Sequence, residues 1–268
     1  MRVALRVAYD GTDFSGWQEQ PTASSVAGTL KACLVDCEPD YSQWTAAGRT
    51  DRGVHAVGQV MAVTCPGWKH GAERLGSALN ARLPASIRIT GAQEVPQSFH
   101  ARFDARERTY CYVISEGELP IPTLRSAYWH VSSAVDHASL DECARSVIGT
   151  HDFAAVGIAP HGTNTVRTVT ESMWKWEKRE IGGLAIQVGT YTVTANAFLR
   201  GMVRHLVGGM VHAAQNPTMT DAIANMIVSP EGGRRIPWSA PPHGLYLWNV
   251  TYPNTVFNWN EGMGSYNE

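Results

Sequence analysis

The sequence has no long apolar run. No stretch of about 18 consecutive apolar residues occurs, so the sequence predicts no membrane-spanning helix. The first residues, Met1 to Ala4, lack the apolar segment of a secretory signal peptide. We therefore expect a cytoplasmic protein with no membrane partner.

Cysteine is scarce and irregularly placed. The five cysteines are scattered, with no Cys-x-x-Cys pair and no Cys/His spacing of the zinc type. They predict neither a disulfide framework nor a metal centre, and we interpret them as reduced thiols. A phosphate-binding Walker loop and the glycine pattern of a dinucleotide-binding strand are also missing. We therefore expect no metal and no organic cofactor.

Charge of either sign is sparse. Charged residues make up 17% of the chain, and the formal net charge is −2. Nucleic-acid-binding proteins usually carry a basic footprint, so the overall charge does not favour such a partner. A local basic patch on a neutral protein can still bind phosphate, because phosphate binding depends on the electrostatic potential near the site and not on the net charge of the protein. Hydrophobic residues make up 44% of the 268 residues, enough for one large domain or two modest ones with a substantial core.

The first hundred residues alternate strand and helix patterns. Val3, Leu5 and Val7 alternate with smaller or polar residues, which predicts a half-buried strand. Thr22 to Ser25 offers an N-cap for a helix. The further elements expected here are a strand over 57–63, a helix over 72–83 and a strand over 87–95. This order predicts an α+β half with an antiparallel sheet.

The rest of the chain continues with strands and helices. A crossing between two halves is predicted over 98–105, where we expect His100 and Arg102 to contact the substrate. Phe99 and Phe103 are expected to pack instead. The elements predicted next are a strand over 106–115, a helix over 140–148, a hairpin of strands over 166–177 and 184–194, helices over 197–215 and 219–228, and a strand over 245–252.

One polar stretch, Ala47 to Ala56, runs directly into an apolar strand segment. Two glycines bracket one carboxylate, Asp51, and Arg49 and Arg52 lie on either side of it. Glycine permits tight turns and close approaches, and nearby cations favour the ionised carboxylate. An ionised aspartate in a cleft can act as a nucleophile, a base or an electrostatic stabiliser. The alternative is an aspartate that caps a turn beside two solvated arginines.

This stretch closely resembles the active-site motif of the TruA family of tRNA pseudouridine synthases. The resemblance extends in the family's order along about residues 1 to 253. The other stretches that carry it are Tyr9 to Gln18, Arg108 to Tyr112, His151 to Phe153, Ala197 to Arg204 and Gly244 to Leu247. Six ordered motifs are far more specific than any one of them.

The resemblance implies a fold class and a domain organisation. The fold would be α+β, with two similar halves, each a mainly antiparallel sheet with helices on one face, and with the active-site cleft between them. The N-terminal half, 1–103, would carry the catalytic aspartate loop. The C-terminal half, 104–253, would carry the base-stacking tyrosine and the arginine helix, and 254–268 would form a polar tail.

The resemblance also implies a reaction, the isomerisation of uridine to pseudouridine in the anticodon stem-loop of tRNA (positions 38–40). Asp51 would attack or assist at the glycosidic bond, as nucleophile or as base. Tyr110 would stack on the uracil, and Leu245 would line the pocket. Arg49 would hold phosphate or help to eject the base, and Arg204 would pair with Asp51. The family implies a homodimer that binds tRNA and needs no cofactor.

Arg204 lies on the predicted helix over 197–215, for which Asn196 is the N-cap candidate. The helix has a broad apolar face, so an arginine buried beside it needs an anionic partner. A structural salt bridge to a glutamate is the alternative to the pair with Asp51.

Three other functions compete with isomerisation. A nucleosidase or glycosidase usually needs two carboxylates, and Asp51 has no obvious carboxylate partner in its motif. A tRNA-binding protein or RNA chaperone without catalysis would keep its activity when Asp51 is replaced. A structural interaction protein is the third alternative, and dense charged motifs in loops disfavour it.

Overall fold

The computed structural model describes residues 1–117, 119–159, 162–228 and 235–253. The chain divides into two compact units: unit 1 comprises 1–107 and 247–253, and unit 2 comprises 108–246. This division places the last strand mostly with unit 1, whereas the sequence-based boundary lay at 103/104 and kept that strand in the second half. The predicted polar tail, 254–268, lies outside the described residues.

The helices and strands are numbered in chain order. They are β1 (Arg2–Tyr9), α1 (Val26–Val35), β2 (Ser42–Ala46), β3 (His55–Thr64), α2 (Ala72–Asn80), β4 (Ile87–Glu94), β5 (Glu107–Glu116), β6 (Trp129–Val131), α3 (His137–Ser146), β7 (Gly149–Asp152), β8 (Val166–Ile181), β9 (Leu184–Ala195), α4 (Met202–Gln215), α5 (Thr220–Val228) and β10 (Leu245–Thr251).

Unit 1 is built on an antiparallel sheet. Its strands lie in the order β4–β1–β3–β10, and β2 pairs with β3. Strand β1 is buried on both faces, not on one as its alternation suggests, since Ala4 and Arg6 are buried as well as Leu5. Helix α1 begins where expected, because the Ser25 hydroxyl accepts the Gly28 N–H at 3.2 Å. Strand β2, which is short and has its first two residues exposed, has no clear sequence pattern and was not predicted.

The strands of unit 2 lie in the order β5–β9–β8–β7 and form antiparallel pairs. Strand β6 adds a short parallel pairing with β5. The predicted hairpin is confirmed: β8 and β9 turn through Gly182 and Gly183, which both have positive φ. Positive φ at both turn residues matches the twist of paired strands and favours glycine. Helices α3, α4 and α5 pack together, and α3 also packs on β8.

The longest helix of unit 2 begins later than predicted. Helix α4 starts at Met202, because Gly201 has φ 75° in the left-handed region. Arg200 is extended instead, and it exchanges two main-chain hydrogen bonds with Ile158, at 2.9 and 3.2 Å. The predicted cap, Asn196, lies six residues before the helix, and its Oδ1 accepts the N–H of Thr168 on β8 at 3.1 Å and that of Ala197 at 2.8 Å. The prediction of a helix from residue 197 was therefore wrong by five residues.

The predicted fold class is confirmed at the level of secondary structure. Each unit combines helices with β-strands, and the strand pairing is mainly antiparallel. The antiparallel pairs include β1 with β3 and β4, β5 with β9, and β8 with β7 and β9, whereas β5 and β6 are parallel.

Candidate active site

The loop that carries Asp51 connects β2 to β3 in unit 1. Asp51 is half-buried, and Arg49 and Arg52 are exposed beside it. The neighbouring Thr50 is buried, and its hydroxyl is hydrogen-bonded to the hydroxyl of Tyr9 at 2.7 Å. The loop therefore holds one carboxylate at the surface while the residue before it is fixed in the interior.

The turn after β1 packs against this loop. The main-chain N–H of Trp17 donates to the Thr50 carbonyl at 3.1 Å, and the N–H of Gly53 donates to Phe14 at 3.3 Å. Gly16 has φ 98°, and a Cβ there would lie 2.6 Å from the Thr50 carbonyl oxygen. Such a distance excludes any side chain, so glycine is required for this approach. The first two motifs of the sequence thus fold into one structure.

A buried glutamine holds the other end of the loop. Gln59 lies on β3, fully buried, and its Nε2 donates to the Gly48 carbonyl at 3.0 Å. Its Oε1 accepts the N–H of Val60 at 3.1 Å. A buried amide with both ends bonded is a strong constraint, since leaving either end unpaired costs about 1–3 kcal/mol. Sequence reasoning missed Gln59, although one polar residue inside the apolar segment 57–63 was a usable signal.

A second carboxylate, Asp10, lies at the edge of the same structure. Its Oδ1 accepts hydrogen bonds from the N–H and the hydroxyl of Thr12, at 2.9 and 2.6 Å, and lies 3.1 Å from His55 Nδ1. Partial burial acts to raise the pKa of Asp10, but the bonds from Thr12 and the nearby imidazole outweigh it, so the pKa lies below its usual value. Asp10 therefore stays ionised and is poorly suited to act as a general acid.

Tyr110 lies on β5 in unit 2. Its side chain is buried, and its ring meets the ring of Phe198 edge to face, with centroids 4.9 Å apart and planes at 78°. This geometry is favoured by the ring quadrupoles and restricts rotation of the tyrosine. Phe198 belongs to the extended segment before α4, so it adds a positioning contact that sequence reasoning did not assign.

Arg204 lies on the first turn of α4 and is half-buried. Its Nε donates to the Ala240 carbonyl at 2.7 Å, and the N–H of Ala240 donates to the Arg204 carbonyl at 2.9 Å. Gly208, one turn later, lets the same segment approach, because a Cβ there would lie 2.6 Å from the Trp238 carbonyl oxygen. The guanidinium is thus oriented through one N–H, and its other donors can bind an anion. The pair with Asp51 stays a prediction.

Leu245 opens β10 and is buried. The turn before it packs on β5, since a Cβ at Gly244 would lie 2.7 Å from the ring of Tyr112. The hydroxyl of Tyr112 donates to the Pro241 carbonyl at 2.7 Å. Burial raises the pKa of Tyr112 far above its usual value, although Arg204 acts in the opposite direction, so Tyr112 is a structural donor and not a base.

Known proteins resemble this chain over most of its length. A family model described as "tRNA pseudouridine synthase" matches residues 6–104 and 143–253, which is more than half of the chain. The chain belongs to this family. The resemblance inferred from the six motifs is thereby confirmed.

Two of the similar proteins are named tRNA pseudouridine synthase A. tRNA pseudouridine synthase A of Roseiflexus sp. (strain RS-1) is 39% identical over 251 residues, covering 94% of this chain and 90% of the relative. The protein of that name from Chlorobium phaeovibrioides is 38% identical, with coverage of 93% and 99%. One solved structure, of an unknown protein from Galdieria sulphuraria, has 13% identity, coverage of 82% and 92%, and a TM-score of 0.24, too low to support an argument.

The match to the pseudouridine synthase family covers most of the predicted site. Asp51, Arg49, Arg204 and Leu245 lie inside the two matched segments, and Tyr110 lies between them. Asp51 and Arg49 belong to unit 1, and the other three belong to unit 2. The assignment of these five residues to the site of a pseudouridine synthase remains a prediction from the motifs.

The described ranges show no group of three or more histidine, cysteine, aspartate or glutamate side chains that could hold a metal ion. All five cysteines are free thiols. In the same ranges, no helix is long and apolar enough to cross a membrane.

Proposed function

We propose that this chain isomerises uridine to pseudouridine in the anticodon stem-loop of tRNA. The observation that carries the proposal is one half-buried carboxylate, Asp51, on a loop that a buried hydrogen bond, a buried glutamine and the close contact of Gly16 hold in place. Family membership supplies the reaction class, and the loop supplies the one reactive group that this reaction needs.

The reaction breaks the N1–C1′ glycosidic bond of the target uridine and joins C5 to C1′. Positive charge develops at C1′ as the first bond breaks, and a carboxylate beside the sugar stabilises it. We assign this carboxylate to Asp51, which acts either as a nucleophile that bonds to the substrate or as a base. A rigid loop favours both, because a catalytic group fixed before binding needs little reorganisation in the transition state.

The other predicted residues bind and orient the substrate. Tyr110, whose ring is held edge to face by Phe198, offers an aromatic surface to the uracil, and Leu245 contributes an apolar wall. Arg204, oriented through its bond to a main-chain carbonyl, offers its remaining donors to an anionic group. Arg49 is exposed, which suits a contact to phosphate.

A glycosidase is disfavoured by the state of Asp10. Hydrolysis of a glycosidic bond usually needs one carboxyl group that is protonated near neutral pH. The hydrogen bonds that lower the pKa of Asp10 keep this neighbour ionised. We further propose that the enzyme is a cytoplasmic homodimer that binds tRNA and needs no cofactor.

The test uses tRNA transcript whose uridines carry tritium at C5. Forming the C5–C1′ bond must eject that hydrogen, so wild-type protein should release tritium to water. Asp51→Ala and Asp51→Asn should release none above background, while Asp40→Ala, which removes an exposed carboxylate of the same unit, should match wild type. Full activity of either Asp51 variant would overturn the assignment. Free uracil among the products would indicate a glycosidase, and tRNA binding without release would indicate a binding protein.

A further inference from the structure

Phe103 is an exposed aromatic residue on the loop that precedes β5. The sequence suggested that it packs, yet it is 75% exposed. Single exposed apolar residues are common on proteins. Phe103 differs because its ring stacks on His100, with centroids 4.2 Å apart and planes at 29°, and the Arg102 guanidinium lies 5.9 Å from its centre. We call Phe103, His100 and Arg102 the aromatic platform.

The platform is fixed by hydrogen bonds within its own loop. The N–H of His100 donates to the Asp104 carboxylate at 2.9 Å, and the N–H of Asp104 donates to the His100 carbonyl at 3.1 Å. The His100 Nδ1 accepts the N–H groups of Arg102 and Phe103, at 3.2 and 3.3 Å. A ring nitrogen that accepts carries no proton, so the imidazole is held in one plane and one tautomer.

Contacts with buried residues also hold this loop in place. Phe99 and Ala101 are buried, and the Phe99 ring meets that of Tyr252 at 5.2 Å. The Tyr252 hydroxyl donates to the Ala101 carbonyl at 2.6 Å, and Arg2 Nε donates to the Phe99 carbonyl at 2.6 Å. A ligand that stacks on the platform therefore loses little free energy to ordering the protein, because the surface is already formed.

The surroundings of the platform suit a nucleic acid. Residues 98–107 are neutral overall, because Arg102 and Arg106 balance Asp104 and Glu107, in a chain whose net charge is −2. Arg106 is exposed, so it adds a second cation beside Arg102. His100 also lines a cavity of about 350 Å³ with polar side chains around it, which include Gln43, Thr45, Gln97 and Ser98. Aromatic faces stack on nucleobases, cations bind phosphates, and amide groups bond to base edges.

We propose that the aromatic platform stacks an unpaired nucleobase of the bound tRNA, other than the target uridine. The inference rests on the proposed function for the identity of the RNA. The ring of Phe103 supplies the stacking face, His100 supports that ring from behind, and Arg102 adds a cation close to it. Stacking of this kind accepts any base, since every base has a π face.

The test measures the dissociation constant of fluorescein-labelled tRNA transcript from full-length variants. Stacking of one base is worth about 1–3 kcal/mol, so Phe103→Ala and Phe103→Leu should weaken binding about 5- to 150-fold. Phe103→Trp should stay within about twofold of wild type, since it keeps an aromatic face. The matched control is Val35→Ala, which shortens another exposed apolar residue of unit 1 and should leave the affinity unchanged.

Four outcomes show what binds to the aromatic platform. Wild-type affinity in Phe103→Ala overturns the proposal, and wild-type affinity in Phe103→Leu alone shows a hydrophobic contact in place of stacking. Lost self-association in sedimentation equilibrium, with unchanged tRNA affinity, assigns the surface to a second copy of the chain and also overturns it. If the wild-type protein releases tritium, the proposed function stands even when the stacking proposal fails. If the wild-type protein neither binds tRNA nor releases tritium, both the stacking proposal and the proposed function are overturned.

Discussion

Gly11 approaches the Asp51 loop so closely that any side chain there would displace the loop. A Cβ on Gly11 would lie 2.0 Å from the carbonyl oxygen of Val54. Real Cβ atoms essentially never lie within 3.0 Å of such a neighbouring atom. Gly11→Ala must therefore separate the two segments by about 1 Å. The N–H of Val54 donates to the Asp51 carbonyl at 3.2 Å, so the displacement reaches the predicted catalytic residue.

The expected effect is large on catalysis and moderate on stability. A misplacement of about 1 Å in a catalytic group can cost about 100-fold in rate. Overpacking costs about 1–3 kcal/mol, which a domain with about 5–15 kcal/mol of stability survives. In a single-turnover tritium-release assay at saturating tRNA, Gly11→Ala should react about 100-fold more slowly than wild type. Its circular dichroism should show a folded protein at the assay temperature.

The control for this experiment is Gly182→Ala in the β8–β9 turn. Gly182 has φ 60°, so alanine there is strained by about 1 kcal/mol, but no atom of the described residues would lie within 4 Å of its Cβ. This variant should lose stability and keep its rate. A folded Gly11→Ala protein with the wild-type rate would refute the reasoning, as would an equal loss of rate in Gly182→Ala.

Two further predictions concern stability. Gly208→Ala should lower the free energy of unfolding in urea by about 1–3 kcal/mol, because its Cβ would meet a main-chain oxygen at 2.6 Å. Gly209→Ala, whose Cβ would meet the side chains of Ile236 at 3.3 Å and Ile223 at 3.7 Å and no main-chain atom among its three nearest, should be neutral or stabilising, and equal losses would contradict this. Burial raises the pKa of Cys65 and Cys143 from 9.0 to about 11. The folded state holds these protons more tightly, so their contribution is complete below pH 9 and is lost towards pH 11. Urea titrations at both pH values measure the loss, and replacing both thiols with alanine should reduce it.

Sequence alone determined the features that depend on neighbours along the chain. The β8–β9 hairpin, the N-cap of α1 and the mainly antiparallel α+β class follow from periodicity and turn residues, which act over a few positions. The stretch around Asp51 also belonged to this group, because its glycines, arginines and carboxylate are contiguous and resemble one family's motif. Family membership was therefore within reach of the sequence.

Tertiary structure decided which distant residues hold those features. The bonds from Tyr9 to Thr50 and from Gln59 to Gly48 lock the Asp51 loop, and each partner's role depends on strands that meet only after folding. The late start of α4 has the same origin: the bridge from Arg200 to a distant strand-like segment overrides the local preference for helix. Phe103 is a third example. Its apolar side chain suggests packing in the interior, and only the fold of its loop leaves it exposed. Contacts between residues far apart in the chain leave no periodic trace in the sequence, so only the folded structure shows them.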